Sequence, residues 1–204
     1  MKNFGTLLFG GAFNPPTIAH VLNVKYLSDT LCYDNFIVFP TGNPPHKELE
    51  CLDDETRFLL SKNVFEEIND IKVSDIEFKM QGESYTYRTL HELKKKYDNL
   101  HLIIGMDSFL SFSKWKNVDE ILELSNIVVL KRGGYDFKET EIYLKHKDKF
   151  TFIDNPVFEM SSTFVRERLK NGDDIRFYVT DKCYEFLKKF DFKEICGCTQ
   201  EKKY

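Results

Sequence analysis

The chain has 204 residues, of which 42% are hydrophobic and 15% aromatic. That suffices for one domain with a substantial core and is too apolar for intrinsic disorder. Its 29 Lys and Arg against 33 Asp and Glu leave a net charge of −4, which argues against a general nucleic-acid coat or a polybasic membrane binder and still permits a small basic pocket for a phosphorylated ligand.

No Asp, Glu, Lys or Arg occurs from Asn3 to Val24. Gly10-Gly11 and Pro15-Pro16 interrupt this run and no small-residue cleavage site follows. It therefore reads as a buried strand, a glycine turn and a buried helix rather than a signal peptide or membrane span, and a cytoplasmic location is expected. Thr6 to Phe9 forms the strand, which stops at Gly10-Gly11, and a helix runs from about Thr17 to Leu31. Asn35 to Phe39 is a second strand, closed by Pro40, and a Pro-, Gly- and Asn-rich loop reaches Glu50. Asp53 is an N-cap for a helix to about Asn69. A strand lies within Ile71 to Met80, a helix over Tyr85 to Tyr97, and a strand over Leu100 to Ile104, ending at Gly105. A short helix near Val118 to Leu124, strands at Asn126 to Leu130 and Phe150 to Ile153, and helices from Ser161 and from Asp181 complete the domain, 1–192, with a flexible tail over 193–204. Strands alternating with helices predict an α/β fold: a single Rossmann-like domain with a mainly parallel sheet covered by helices on both faces.

The five cysteines, Cys32, Cys51, Cys183, Cys196 and Cys198, are odd in number and scattered, which does not read as a disulfide framework. The close pair Cys196 and Cys198 lies in a polar stretch without a partnering His and reads as incidental rather than as a metal site.

Ligands of parallel sheets bind outside the carboxyl ends of the strands. The loops 10–16, 40–47 and 105–107 occupy such ends. The strongest local signal is Gly10-Gly11-Ala12-Phe13-Asn14-Pro15-Pro16-Thr17-Ile18-Ala19-His20. Its glycines allow a sharp turn and close approach to backbone N–H groups, Thr17 caps the helix, and His20 falls in the first turn, where free N–H donors and the dipole suit phosphate. It is neither a G-x-G-x-x-G fingerprint nor a P-loop. A second signal is Ser161-Ser162-Thr163-Phe164-Val165-Arg166, hydroxyls at a helix start with an arginine one turn in that can fork onto phosphate oxygens.

These two segments resemble the G-x-F-x-P-x-[HT]-x-G-H and Ser-Ser-Thr-x-x-Arg motifs of the nucleotidylyltransferase superfamily. Between them, Asn43-Pro44-Pro45-His46-Lys47, Ser84-Tyr85-Thr86, Ile103 to Ser108 with Trp115, and Lys131-Arg132-Gly133-Gly134-Tyr135 resemble bacterial nicotinate-nucleotide adenylyltransferases. Thr17 stands where those enzymes usually carry a histidine and Ala19 where they carry a glycine, while His20 is retained.

The resemblance implies transfer of AMP from ATP to nicotinate mononucleotide, giving deamido-NAD and pyrophosphate. It implies that N–H groups at Gly10, Gly11, Ala12 and Phe13 cradle the phosphates and that Thr17 and His20 contact the α-phosphate. Arg166 with Ser161, Ser162 and Thr163 would hold the pyrophosphate. Gly105 and Asp107 would sit near the ATP ribose and base; read from the residues alone Asp107 is an N-cap for the following turn, and the two roles are compatible. Asn43, Thr86, Trp115 and Arg132 would line the mononucleotide site, and Lys47 is either an extra cation or a solvated loop lysine. Mg²⁺ would arrive with ATP, held by phosphates and water, with no metal ligand from the protein. The partners are small molecules, ATP and nicotinate mononucleotide, with no nucleic acid or membrane and with homo-oligomerisation left open. The rivals are a nicotinamide mononucleotide or phosphopantetheine adenylyltransferase on the same scaffold, and a nucleotide-binding sensor without turnover.

Overall fold

A computed structural model describes residues 3–44 and 51–190. Lys47, the stretch expected as a tail over 193–204, and Cys196 and Cys198 lie outside the described residues. The strands are β1 (Thr6–Gly11), β2 (Asn35–Pro40), β3 (Ile71–Val73), β4 (Leu100–Gly105), β5 (Ser125–Leu130) and β6 (Phe150–Ile153). They form one sheet in the order β3-β2-β1-β4-β5-β6, and every pairing is parallel. The α-helices among the described residues are α1 (Ile18–Thr30), α2 (Asp54–Phe65), α3 (Ile76–Lys79), α4 (Thr86–Lys94), α5 (Met106–Leu110), α6 (Val118–Leu124), α7 (Glu141–Lys145), α8 (Ser162–Asn171) and α9 (Asp181–Leu187). This is the expected single α/β domain.

Successive strand residues point to opposite faces, and a parallel sheet covered on both faces needs apolar residues at nearly every position. Leu8, Ile37, Leu102 and Val129 face Leu90 and Leu93 of α4 and Ile121 of α6. Leu7, Phe36, Val38 and Val128 face Val24 and Leu27 of α1 and Phe65 of α2. A third cluster, built on Leu60 and Val64 of α2, Val165 of α8, and Cys183 and Leu187 of α9, docks the last helices onto the domain.

Two details differ from expectation. β1 takes in both of its glycines before it ends: Gly10 pairs with Phe39 and Gly11 with Pro40. Neither glycine makes the turn, which falls at Phe13, whose φ is 43°. The glycines make room instead. A Cβ on Gly10 would stand 2.6 Å from the Phe39 ring, and one on Gly11 would stand 2.8 Å from the ring of Phe13. The cysteines also hold a surprise. Cys183 is a free thiol, but Cys51 is disulfide-bonded, a bridge that the scattered spacing did not announce.

The chain passes from β1 through β2 to β3 on one side, then crosses to β4, β5 and β6 on the other. The switch point, where such sheets open a crevice, lies between β1 and β4. Gly10-Gly11 and Gly105 end those two strands.

Candidate active site

A cavity of about 750 Å³ opens at this switch point and is walled by the carboxyl ends of the central strands. Of the residues singled out in the sequence, Gly10, Gly11, His20, Gly105 and Asp107 reach its wall, as do Thr86, Trp115, Arg132 and Ser161. Thr17 and Phe13 are fully buried behind the wall, and Ala12, Asn43, Ser162, Thr163 and Arg166 are absent from the lining.

The first turn of α1 determines what His20 can offer. Thr17 is the N-cap, as expected, and His20 occupies the third helical position. The Thr17 backbone N–H donates to His20 Nδ1 at 2.9 Å. Nδ1 is thus an acceptor, and the neutral ring must carry its proton on Nε2. The Phe13 ring meets the imidazole edge to face at 5.3 Å. Burial, with the charge of Arg132 adding to it, lowers the His20 pKa to about 4. His20 is therefore a neutral, oriented N–H donor at neutral pH. Thr17 serves it: the Thr17 hydroxyl lies 2.8 Å from Nδ1 and 3.3 Å from the Met160 carbonyl, which turns it away from the cavity.

The two motifs, distant in sequence, are bonded together. Ser161 caps α8 by accepting from Phe164 N–H at 3.1 Å. Ser162 Oγ donates to the Pro15 carbonyl at 2.8 Å, and Arg166 donates from Nη1 to the Asn14 carbonyl at 2.8 Å and from Nη2 to Thr163 Oγ1 at 3.2 Å. The start of α8 thus braces the loop that presents His20.

On the β5 side, Arg132 and Asp107 pair at 2.6 Å. Asp107 is not the N-cap of α5; Gly105 holds that position and Asp107 lies in the first turn, where a carboxylate favours the helix dipole. Its Oδ1 is buried and has no hydrogen-bond partner among the described residues. Such an acceptor costs stability until a donor reaches it.

On the β2 side stand two residues that sequence reading missed. Arg57 is fully buried. It donates to the carbonyls of Ala12 at 3.0 Å, Thr41 at 2.6 Å and Gly42 at 3.3 Å, and Asp54 pairs with it. Glu77, 4% exposed, accepts from Gly42 N–H at 3.0 Å and from Thr89 Oγ1 at 2.7 Å. Its pKa is raised by burial, against the opposing hydrogen bonds and the Arg57 charge. Ser84 Oγ accepts from Asn43 N–H at 3.0 Å. This network ties the loop after β2 to the start of α4, where Thr86 is the first helical residue. Trp115, half-buried, packs on Phe112 with ring centroids 5.2 Å apart while still lining the cavity.

The family model described as cytidylyltransferase-like matches residues 8–168, most of the chain. A relative from Clostridium tetani, named probable nicotinate-nucleotide adenylyltransferase, is 36% identical over 192 residues, covering 90% of this chain and 96% of its own. One of the same name from Clostridium novyi is 36% identical over 94% of this chain and 98% of its own. The chain belongs to the cytidylyltransferase-like family and groups there with the nicotinate-nucleotide adenylyltransferases. This cytidylyltransferase-like chain is also similar in fold to the Plasmodium falciparum nicotinic acid mononucleotide adenylyltransferase solved with NaAD. The TM-score is 0.77 at 20% identity, over 94% of this chain and 98% of the other. The same enzyme solved with APC gives a TM-score of 0.73, also at 20% identity and the same coverage. At that identity these two likenesses bear on the fold alone. The cytidylyltransferase-like match includes both segments that form the His20 corner.

No described helix is long and apolar enough to cross a membrane, and no group of three or more His, Cys, Asp and Glu side chains among the described residues could hold a metal ion.

Proposed function

We propose that the protein transfers AMP from ATP to nicotinate mononucleotide, releasing pyrophosphate and deamido-NAD. The observation that carries this reading is the His20 corner: a neutral imidazole with its Nε2 proton directed by the Thr17 N–H, in a cavity shared with Arg132. The mononucleotide phosphate is mostly dianionic at neutral pH, its second pKa being near 6. It can attack the α-phosphorus without a strong general base. Charge then builds on the α-phosphate oxygens as pyrophosphate leaves, and catalysis rests on positioning and charge stabilisation.

In this reading His20 Nε2–H donates to the α-phosphate, and the N–H groups of Gly10, Gly11, Ala12 and Phe13 face its oxygens. The N–H bonds of Arg166 not spent on Asn14 and Thr163 take the leaving pyrophosphate, beside Ser161. The buried Oδ1 of Asp107 accepts from a ribose hydroxyl of ATP, which relieves its missing partner. Thr17, Ser162 and Thr163 support the corner rather than touch substrate. ATP enters as its Mg²⁺ complex, the metal being part of the substrate and held by phosphates and water.

Nicotinate mononucleotide occupies the Thr86 and Trp115 end, the pyridine ring on the Trp115 face, with Asn43 at the loop behind it and Arg132 near its phosphate. Thr86 and nearby N–H groups satisfy a carboxylate, whereas an amide would set its NH₂ donors against donors. Each group left unpaired costs about 1–3 kcal/mol. The test is a substrate panel with pyrophosphate release as readout. We expect a preference for nicotinate over nicotinamide mononucleotide of at least about tenfold in kcat/KM, reduced by Thr86→Ala, with Trp115→Ala weakening both alike. Equal use of acid and amide would overturn the acid assignment. No pyrophosphate from any acceptor would favour a nucleotide-binding sensor.

A further inference from the structure

Asn23 lines the cavity one helical turn beyond His20, and no role above uses it. Its amide is not free to flip. Asn155, 3% exposed in the loop after β6, accepts from the Lys131 backbone N–H through Oδ1 at 2.8 Å. A backbone N–H can face only an acceptor, so the NH₂ end of Asn155 is turned the other way. It donates to the Pro156 carbonyl at 2.9 Å and to Asn23 Oδ1 at 3.3 Å. Asn23 Nδ2 in turn donates to the Ala19 carbonyl at 3.0 Å. A relay that begins at the end of β5 thus fixes which edge of Asn23 is donor and which is acceptor. One N–H and one oxygen lone pair of Asn23 remain unspent.

We infer that Asn23, oriented by Asn155, reads the donor and acceptor edge of the purine in the nucleotide substrate and selects adenine over a 6-oxopurine. The inference rests on ATP being the nucleotide that binds beside His20.

Three observations support a base here rather than another group. The first is distance along α1: three residues past His20 is about 4.5 Å of rise, which moves from the α-phosphate towards the nucleoside. The second is the surroundings, since Leu130, Phe158 and Met160 line the cavity too and offer apolar contact to a flat ring. The third is the relay itself. A ribose hydroxyl rotates to donate or accept as needed, so it gains nothing from an amide of fixed sense. A purine edge has a fixed pattern. Adenine presents N6–H beside a ring-nitrogen acceptor, the complement of an amide's oxygen beside its N–H. Hypoxanthine and guanine put a carbonyl where adenine has the amine and meet the same amide with like against like.

The test is calorimetric titration of the intact protein with ATP, inosine triphosphate and 2′-deoxy-ATP, without any acceptor, for the wild type, Asn23→Ala, Asn23→Asp and Asn155→Leu. We expect the wild type to bind ATP at least about tenfold more tightly than inosine triphosphate. Asn23→Ala should compress that ratio at least about fivefold while leaving the ATP to 2′-deoxy-ATP ratio within about twofold. Asn23→Asp keeps the acceptor and loses the donor, so it should tilt towards inosine triphosphate, whose N1–H needs an acceptor. Asn155→Leu removes the donor to Asn23 Oδ1 but keeps the bond from Asn23 Nδ2 to the Ala19 carbonyl, so it should compress the ATP preference in the same direction but less than Asn23→Ala does. Thermal unfolding of each variant separates this from a plain tie between α1 and β6, which would change the melting temperature and leave the nucleotide ratio alone. An unchanged ratio in Asn23→Ala, or equal binding of ATP and inosine triphosphate by the wild type, overturns the inference. So does a change confined to 2′-deoxy-ATP, which would make Asn23 a ribose contact. If the ratios shift as expected but no pyrophosphate forms with nicotinate mononucleotide, the acceptor assignment fails and the role of Asn23 stands.

Discussion

Two arginines flank the cavity and are held in opposite ways. Arg57, behind the β2-side wall, has no exposed surface and is surrounded by three backbone carbonyls, Asp54 and the nearby charge of Glu77. Arg132, at the β5-side rim, has a side chain 55% exposed and, among the described residues, a single carboxylate partner in Asp107. The first cannot leave without stranding buried acceptors; the second can exchange Asp107 for an incoming phosphate at little cost, because exposed ion pairs are worth about 0–1 kcal/mol. One wall is set before substrate arrives and the other is completed by it.

The largest effect should come from the fixed wall. Arg57→Met leaves three carbonyls and Glu77 without their cation and should destabilise the fold by about 3–5 kcal/mol, read by urea unfolding at neutral pH. A loss below about 1 kcal/mol would show that water replaces the guanidinium, and the contrast between the walls would collapse.

His20→Ala should lower kcat by about 10²-fold or more, because a donor to developing charge is lost, while the loss of its cap hydrogen bond from Thr17 N–H and of its contact with Phe13 should lower stability by about 1–2 kcal/mol. Turnover within a few-fold of wild type would remove His20 from the chemistry.

Acid pH adds a second contrast, between two buried groups in the cavity wall whose pKa values are shifted in opposite directions, His20 on α1 and Glu77 on the β2 side. The folded pKa of His20 is depressed from 6.5 to about 4. As pH falls from 6.5 towards 4, the unfolded chain takes up a proton that the folded chain refuses, and stability is lost over that window. Wild type should lose about 2 kcal/mol more than His20→Gln between pH 7 and 4.5 in urea unfolding. The folded pKa of Glu77 is raised, so the folded state takes up that proton first and falling pH restores stability there. Glu77→Gln should remove this opposing gain and leave a steeper acid loss. Equal slopes in wild type and His20→Gln would mean that the imidazole is solvated in the folded state.

The smallest effect on stability belongs to Arg132→Met, less than about 1 kcal/mol, even though kcat/KM should fall as the rim loses its cation. A stability loss as large as that of Arg57→Met would make the rim as rigid as the opposite wall.

These contrasts also explain what the sequence revealed and what it hid. β1, β2, β4 and β5 were legible because burial on both faces writes an unbroken apolar run, which ends at Gly or Pro in β1, β2 and β4 and at Lys131-Arg132 in β5. Thr17 and His20 were legible because a cap and a first-turn side chain are neighbours in the chain. α3, α5 and α7 have 4 or 5 residues each, too few to display a helical period. The role of the glycines was misread because their partners, the rings of Phe39 and Phe13, are met only after folding. Arg57 and Glu77 were invisible for a related reason. In sequence, Asp54-Glu55-Thr56-Arg57 and Asp75-Ile76-Glu77-Phe78-Lys79 carry the charge pattern of solvated surface, and the burial of Arg57 and Glu77 is determined by carbonyls and N–H groups of distant segments that carry no side-chain signature. Asn23 and Asn155, 132 positions apart, are hidden in the same way.

The crowding around Gly11 makes two positions a single heritable unit. Because the ring of Phe13 occupies the volume that a side chain at position 11 would need, Gly11→Ala alone must push that ring towards His20 and Phe65, both of which it touches edge to face. With Phe13→Leu in the background the same alanine has room. A mutational scan scored one position at a time would mark position 11 as intolerant, whereas a library that also varies position 13 would find a passage. The route by which position 11 can change therefore runs through a joint change at position 13.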